Sequence, residues 1–258
     1  MRQTEDTTLY QFGVKLAEKR IEVECSYKDT FYFFKDYLDY SPHVDFRVYS
    51  HLDEIEKEKP QFPSIFKSDD CLGVGVSEGF TTTETNILLR KILNHMIPHG
   101  TIFLHGAAIS LNNCCYIFTA PSGTGKTTHI LNWKKCFPDT VIINGDKPFI
   151  NSKTKHVYGT PWCGKEGFNT NTSALLMGII ALEQGKKNTI SPITFHEMLP
   201  ILLQQTYIPK DKEIALKAYK LLGDFKYTPC YKLVCNMDEE AALVAYAGIK
   251  ANESSLTS

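Results

Sequence analysis

The sequence predicts an α/β fold built on a mixed central sheet. Three observations predict it. Short apolar runs of strand length alternate with segments of helical period, turn-forming residues join two pairs of those runs as antiparallel neighbours, and one run passes through a glycine-rich loop into a helix. The chain has 258 residues, 43% hydrophobic and 22% charged. That mixture can bury a core and excludes disorder as a description of the whole. Twenty-eight basic residues against 29 acidic ones leave a formal charge of -1. Such a balance offers no electrostatic footprint for nucleic acid or an anionic membrane, and neither is an expected partner. The longest apolar stretch, near 174–182, is too short for a bilayer, which needs about 20 residues. The N-terminus lacks the apolar core of a signal peptide, so a cytoplasmic location is expected. Eight cysteines include no C-x-x-C pair and read as reduced, mostly buried thiols.

The elements follow in order. Residues 20–25 alternate with strand period, and the aromatic-rich 31–40 suits a helix packed by Phe31, Phe34 and Leu38. The run 54–59 mixes both charges, stops at Pro60 and reads as a surface connector. Residues 85–96 carry Leu88, Leu89, Ile92 and Leu93 on one helical face and end before Pro98 and Gly100. A strand at 101–104 opens the second half. Asn112-Asn113 then turns a hairpin between 107–110 and 114–119, because Asn tolerates the left-handed conformation. A helix over 126–135 and a strand over 140–144 come next. A second hairpin is expected between 178–182 and 189–193, where Pro192 suits only a sheet edge. Helices are expected at 194–205, which Pro200 would kink or split, at 212–222 and at 238–249. This organisation divides into an N-terminal α/β region, 1–97, which is either an acceptor-recognition domain or half of one fold, and a P-loop region, 98–258.

The most informative residues are Ala120-Pro121-Ser122-Gly123-Thr124-Gly125-Lys126-Thr127-Thr128. They lie between an apolar strand and a helix, the context a Walker A phosphate loop requires. Gly123 and Gly125 allow a tight turn with N–H groups directed inward, and the helix N-terminus adds positive partial charge. Ser122, Thr124 and Thr128 complete the cradle. Lys126 would reach the β- and γ-phosphates of ATP, and the Thr127 hydroxyl would ligate Mg²⁺. The first position is Ala120 where the general pattern has Gly. Phosphoryl transfer also needs an acidic group near the γ-phosphate. Asp146 follows the strand at 140–144, twenty residues after Lys126, and two neighbouring strand ends would bring it to the loop. Glu183 is the weaker rival and reads as a hairpin residue.

His105-Gly106, a hairpin, Ser122-Gly123-Thr124-Gly125-Lys126-Thr127 and a strand ending in Asp146 together resemble bacterial HPr kinase/phosphorylase, within the wider group similar to ATP-dependent phosphoenolpyruvate carboxykinase. The resemblance covers about residues 101–193. It implies that fold, with a P-loop on the mixed sheet, and an ATP- and Mg²⁺-dependent kinase whose acceptor is a serine hydroxyl of a protein or peptide. Carried over, Lys126 and Thr127 bind phosphate and Mg²⁺, Asp146 is general base or metal partner, and His105 lies near the transferred phosphate. Homo-oligomeric assembly is implied by the resemblance alone. Two departures stand out. The family's paired acids are here Gly145-Asp146, which weakens the reverse phosphorylase reaction, and its Glu-x-Arg-Gly signature is replaced by a loop at 158–167. In that loop Lys165 would supply a second cation at the γ-phosphate, and Glu166 would face Mg²⁺ or the acceptor. The competing reading is a structural loop in which Trp162 packs and the charges are solvated. Two other functions compete with the protein or peptide kinase: a kinase of a small-molecule hydroxyl, and a non-catalytic ATP-binding switch.

Overall fold

A computed structural model describes residues 9–58 and 80–256. Strands β1 (Tyr10–Leu16) and β2 (Lys19–Cys25) form an antiparallel hairpin. Ile21, Val23 and Cys25 point inward from β2, as their alternation predicts. The helix expected over 31–40 begins and ends earlier, as α1 (Lys28–Phe33), and the chain then tightens into a 3₁₀ turn at Lys35–Tyr37. Phe34 and Tyr37 are both buried and stand three residues apart, a spacing that a 3₁₀ turn places on one side. β3 (Phe46–Tyr49) adds parallel to β2.

The charged run expected as a connector is helical, α2 (Leu52–Glu58). Ile55 is fully buried, Lys57 pairs with Asp53 at 2.9 Å one turn away, and Glu54 and Glu58 pair with Lys91 and Arg90, so one apolar anchor and three ion pairs hold two turns. Lys59 and Pro60 lie outside the described residues. α3 (Phe80–Met96) starts before residue 85 and buries Leu88, Leu89, Ile92 and Leu93 as expected.

The second sheet holds nine strands: β4 (Thr101–Phe103), β5 (Gly106–Leu111), β6 (Cys114–Thr119), β7 (Val141–Asn144), β8 (Phe149–Asn151), β9 (His156–Tyr158), β10 (Ser173–Gln184), β11 (Thr189–Ile193) and β12 (Cys230–Cys235). The order is β4-β8-β9-β10-β6-β5-β7, with β12 beside β10 and β11 beside β12. β10 runs parallel to β6 and β12, and the remaining pairs are antiparallel. The fold is therefore α/β, with a mixed, multi-stranded central sheet flanked by helices. Asn112 and Asn113 turn the β5–β6 hairpin with φ of 53° and 61°.

The second expected hairpin does not form. β12 enters between β10 and β11, pairing Ile179 with Cys230, and β11 pairs with β12 instead. Buried Tyr231 and Leu233 continue the apolar face of Ile180 and Leu182, which β11 could not do. β11 stays at the edge, where Pro192 withholds no interior hydrogen bond.

Strand alternation gives the sheet two apolar faces. On one, Ile109, Phe118, Ile180 and Leu233 pack with Ile130 and Trp133 of α4 (Lys126–Cys136) and with Ala242, Ala245 and Ile249 of the C-terminal helix. On the other, Ala108, Ile117, Ile179 and Cys230 join α3, Met198 and Leu202 of α5 (Phe195–Gln205), Ala218 and Leu222 of α6 (Lys212–Gly223), and the inward residues of β1 and β2. α5 runs through Pro200 as one helix behind a capping box of Thr194 and Glu197. The C-terminal helix, α7, spans Glu240–Leu256. Among the described residues no helix is long and apolar enough to cross a membrane.

Candidate functional site

β6 ends at Thr119 and α4 begins at Lys126, so residues 120–125 are the loop between strand and helix. Gly123 and Gly125 take φ of 79° and 105°. A Cβ on Gly123 would meet nothing within 4 Å, so its backbone conformation, not crowding, calls for glycine. Gly125 caps α4 without a side-chain hydrogen bond, which leaves the first N–H groups of the helix to another partner. The Lys126 ammonium folds along the loop and donates to the Ala120 carbonyl at 2.8 Å and the Pro121 carbonyl at 3.3 Å. Thr127 and Thr128 follow on the first turn, partly exposed, while Ser122 stands exposed at the loop's outer edge. Beside them opens a cavity of about 280 Å³ between Thr124, Thr128, His129, Gln184 and Met237. His129, which the sequence did not single out, is buried there. Its Nε2 accepts from the Trp133 indole at 2.9 Å, and burial lowers its pKa to about 4. The imidazole is therefore neutral, with its hydrogen on Nδ1, which has no partner among the described residues.

β7 carries the second group. The sequence places its end next to that of β6, but β5 lies between them, antiparallel to both. β6 and β7 thus run the same way and end on one side of the sheet, two strand spacings apart, about 10 Å. Gly106, opposite Thr119, donates its N–H to the Asp146 carbonyl at 2.8 Å, and Thr119 Oγ1 donates to the His105 carbonyl at 2.9 Å. This chain of contacts fixes Asp146 and His105 beside the strand that feeds the loop. Asn144 shapes the bend. Its Oδ1 accepts from the Asp146 and Lys147 N–H groups at 2.8 and 2.7 Å, and its amide donates to Thr160.

Asp146 is 5% exposed, and its carboxylate holds His105 Nε2 at 3.0 Å on Oδ1 and the buried Lys147 ammonium on Oδ2. Burial alone would push this carboxyl up. The Lys147 charge, then the His105 hydrogen bond and charge, overcome that and hold it down at about 2. An ionised carboxylate fixes the His105 tautomer, since the nitrogen facing it must carry the hydrogen, which leaves Nδ1 as an acceptor in the neutral ring.

The loop at 158–172 wraps this bend. Lys147 N–H donates to the Trp162 carbonyl at 3.1 Å, and Gly145 N–H to the Phe168 carbonyl at 2.8 Å. Trp162 is 1% exposed and donates its indole N–H to the Thr85 carbonyl at 3.2 Å. Gly159 lies so close to Thr170 that a Cβ would sit 1.9 Å from its carbonyl oxygen. Between these anchors Gly164 and Gly167, both at positive φ, turn the chain and carry Lys165 and Glu166 exposed at its tip. The turn thus springs from the residues bonded on either side of Asp146, with Trp162 packed and the charges in solvent. Asn169 and Asn171 bond to Tyr37 and the Asp36 carbonyl, tying the loop to the N-terminal region. Glu183 pairs with Lys232 at 2.6 Å across β10 and β12.

Among the described residues no group of three His, Cys, Asp or Glu side chains could cage a metal. Of the residues expected to face Mg²⁺, Thr127 lies on the first turn after the loop, Asp146 follows the strand two places away, and Glu166 stands exposed at its turn. That sparse set fits an Mg²⁺ ion bound largely through phosphates and water and does not fit a protein-only site. Comparison of the chain with protein-family models and with curated proteins finds no match.

Proposed function

We propose that this protein is an ATP-dependent phosphotransferase of the HPr-kinase-like type, acting on a hydroxyl acceptor. One observation carries the reading. A glycine-turned loop at an uncapped helix N-terminus lies two strands from a buried His105–Asp146–Lys147 cluster, at the same edge of the sheet. Residues 122–128 would hold the triphosphate through loop and helix N–H groups, with the Lys126 ammonium leaving the loop carbonyls for the β- and γ-oxygens. The small cavity at Thr128 and His129 would take the base. Thr127 Oγ1 and, across the cleft, Asp146 would hold Mg²⁺, which supplies neutralisation of the phosphate oxygens when bound.

The cluster's geometry supports a division of roles within this proposal. Asp146, held near 2, is a poor proton acceptor at neutral pH, whereas the His105 ring, with Nε2 facing the carboxylate, leaves Nδ1 as an acceptor. Asp146 therefore orients His105, and His105 takes the proton. The acceptor oxygen forms its bond to the γ-phosphorus as the bond to the bridging oxygen breaks. ADP leaves with the electron pair, and the hydroxyl proton passes to the imidazole. Lys147 holds Asp146 ionised, and Lys165, on its turn, can swing toward charge gathering on the phosphoryl oxygens.

The test is transfer of label from γ-labelled ATP, with Mg²⁺, to an acceptor in an extract. Lys126→Ala and Asp146→Asn should each abolish it. Labelling by both variants at the level of the parent would overturn the reading. Tight ATP binding that survives Asp146→Asn, with no acceptor-dependent turnover in the parent, would make the chain a binding switch instead.

A further inference from the structure

Four strands of the central sheet end on one edge. β10 runs parallel to β6 and to β12, and β7 runs with β6, so all four finish where the loop at 120–125 begins. Across the sheet the sequence of strands is β7-β5-β6-β10-β12. The Asp146 bend follows β7 on one side of β6, and the segment after β12 stands at the matching place on the other. Gln184, the last residue of β10, reaches the loop from that second side, where its amide donates to the Thr124 carbonyl at 3.3 Å. Ligands of open α/β sheets bind outside such strand ends.

Met237 lies two residues past β12 and is 60% exposed. Its backbone is tethered on both sides. The Asn132 amide, on α4, donates to the Met237 carbonyl at 2.9 Å. The Asn236 N–H donates to Asn188 Oδ1 at 2.9 Å, and the Asp238 N–H donates to Asn236 Oδ1 at 3.0 Å. The side chain is turned over the loop, since a Cβ built on Gly125 would lie 3.6 Å from Met237 Sδ. An anchored backbone therefore holds an exposed thioether beside the residue that caps α4, at the cavity of about 280 Å³ described above. That volume sits at the low end of small-molecule sites, roughly 300–1,000 Å³, and suits a ring system better than a whole nucleotide.

We propose that Met237 is the base-contacting residue of the nucleotide site. Its thioether packs on the face of the purine ring, with the base over the end of β12 and the triphosphate running across the loop toward Asp146. The inference rests on the phosphotransferase reading and adds to it the polarity of the nucleotide and the side chain that grips its base. In that reaction the γ-phosphate ends beside Asp146, so the base falls on the β10–β12 side of the loop. Apolar surface exposed there gains from being covered by a flat ring, and a polarizable sulfur makes favourable contact with aromatic systems.

The experiment uses the full chain carrying ¹³C at its methionine methyl groups, with Mg²⁺. The probes are ATP and inorganic tripolyphosphate, which has the phosphates without a base. The signal lost in Met237→Leu is that of the Met237 methyl. The ring current of a stacked purine should move it upfield when ATP binds, and tripolyphosphate should leave it in place. Met237→Ala should raise the Kd for ATP about fivefold and leave the Kd for tripolyphosphate within about twofold of the parent. Met237→Leu keeps the apolar bulk and should bind ATP within about twofold of the parent. A Met237 methyl signal that ATP does not move overturns the proposal. So does an unchanged ATP Kd in Met237→Ala, or a tripolyphosphate Kd raised as much as that for ATP, which would make the residue a support of the loop. Failure of the underlying reading looks different and sinks both: the parent would bind neither probe, or Lys126→Ala would bind both as the parent does.

Discussion

Among the described residues two carboxylates are buried, and their surroundings differ in kind. Glu84, on α3, is fully buried and accepts from four neutral donors: the Ser26 and Tyr27 N–H groups at 2.6 and 3.2 Å, and the Thr30 and Ser50 hydroxyls at 2.5 Å each. Those donors come from the turn after β2, from α1 and from the end of β3, so one side chain staples the N-terminal sheet to α3. Asp146 is buried almost as deeply, but its oxygens face a lysine and a histidine. Neutral donors fixed in backbone and short side chains make a saturated, inert anchor. Ionic partners that can move leave a carboxylate able to exchange them for a ligand, so the second carboxylate, and not the first, is the one we propose for a working site.

The contrast can be broken by mutation. Glu84→Ala strands four donors at once and should cost at least about 4 kcal/mol in urea unfolding, given about 1–3 kcal/mol per orphaned group. A loss below about 1 kcal/mol would show that water or rearrangement replaces the carboxylate and that the staple is not structural. Asp146→Ala should cost about 3 kcal/mol, mainly because it takes a buried carboxylate from the Lys147 ammonium. Adding Lys147→Met should restore part of that stability, since it removes the charge that lost this carboxylate. Neither variant should recover transfer, which is expected to fall by about a thousandfold if Asp146 orients the base. Recovery of transfer in the double variant would assign Asp146 a purely structural task.

Much of this arrangement was legible in the sequence, and the gaps have physical causes. The loop at 120–127 is local, and its glycines, lysine and flanking strand and helix lie in one stretch. Asp146 was legible because it closes a strand. Lys147 was not. In an extended chain adjacent side chains point to opposite faces, so a lysine next to a facing aspartate should turn away. Asn144 defeats that expectation by taking both N–H groups into its side chain, which bends the chain until Asp146 and Lys147 converge. No composition signal marks such a bend. The second hairpin failed for a related reason. The partner of β10 is β12, more than forty residues along the sequence, and only the match of their buried faces selects it. A cavity of about 780 Å³ at His105 was likewise invisible, because α3 and the segment after α5, which both line it, are remote in sequence.

Two smaller effects sharpen the difference between the anchor and the site. Mg-ATP at a hundred times its Kd should stabilise the parent by about 2.7 kcal/mol, several degrees in Tm for a chain of this size. Lys126→Ala should abolish that shift, and a Glu84→Gln protein that still folds should keep it, because Glu84 touches only the N-terminal region. An equal shift with and without Lys126 would place the nucleotide elsewhere.

The last test reads Asp146 through pH. Its carboxyl is held near 2, below the 3.8 of an ordinary aspartate. A group whose pKa is lower in the folded state stabilises that state fully above its unfolded value and loses the effect as pH falls through its folded value. The contribution, about 2 kcal/mol, should therefore be whole above about pH 4 and fade toward pH 2, with no counterpart on the alkaline side. Asp146→Asn should lack that limb, so the stability difference between parent and variant should shrink on acidification across this window. A difference that stays constant from pH 6 to pH 2 would mean that the folded protein does not lower the Asp146 pKa. The ionic pairing with Lys147 and His105, on which its contrast with Glu84 depends, would then be absent in solution.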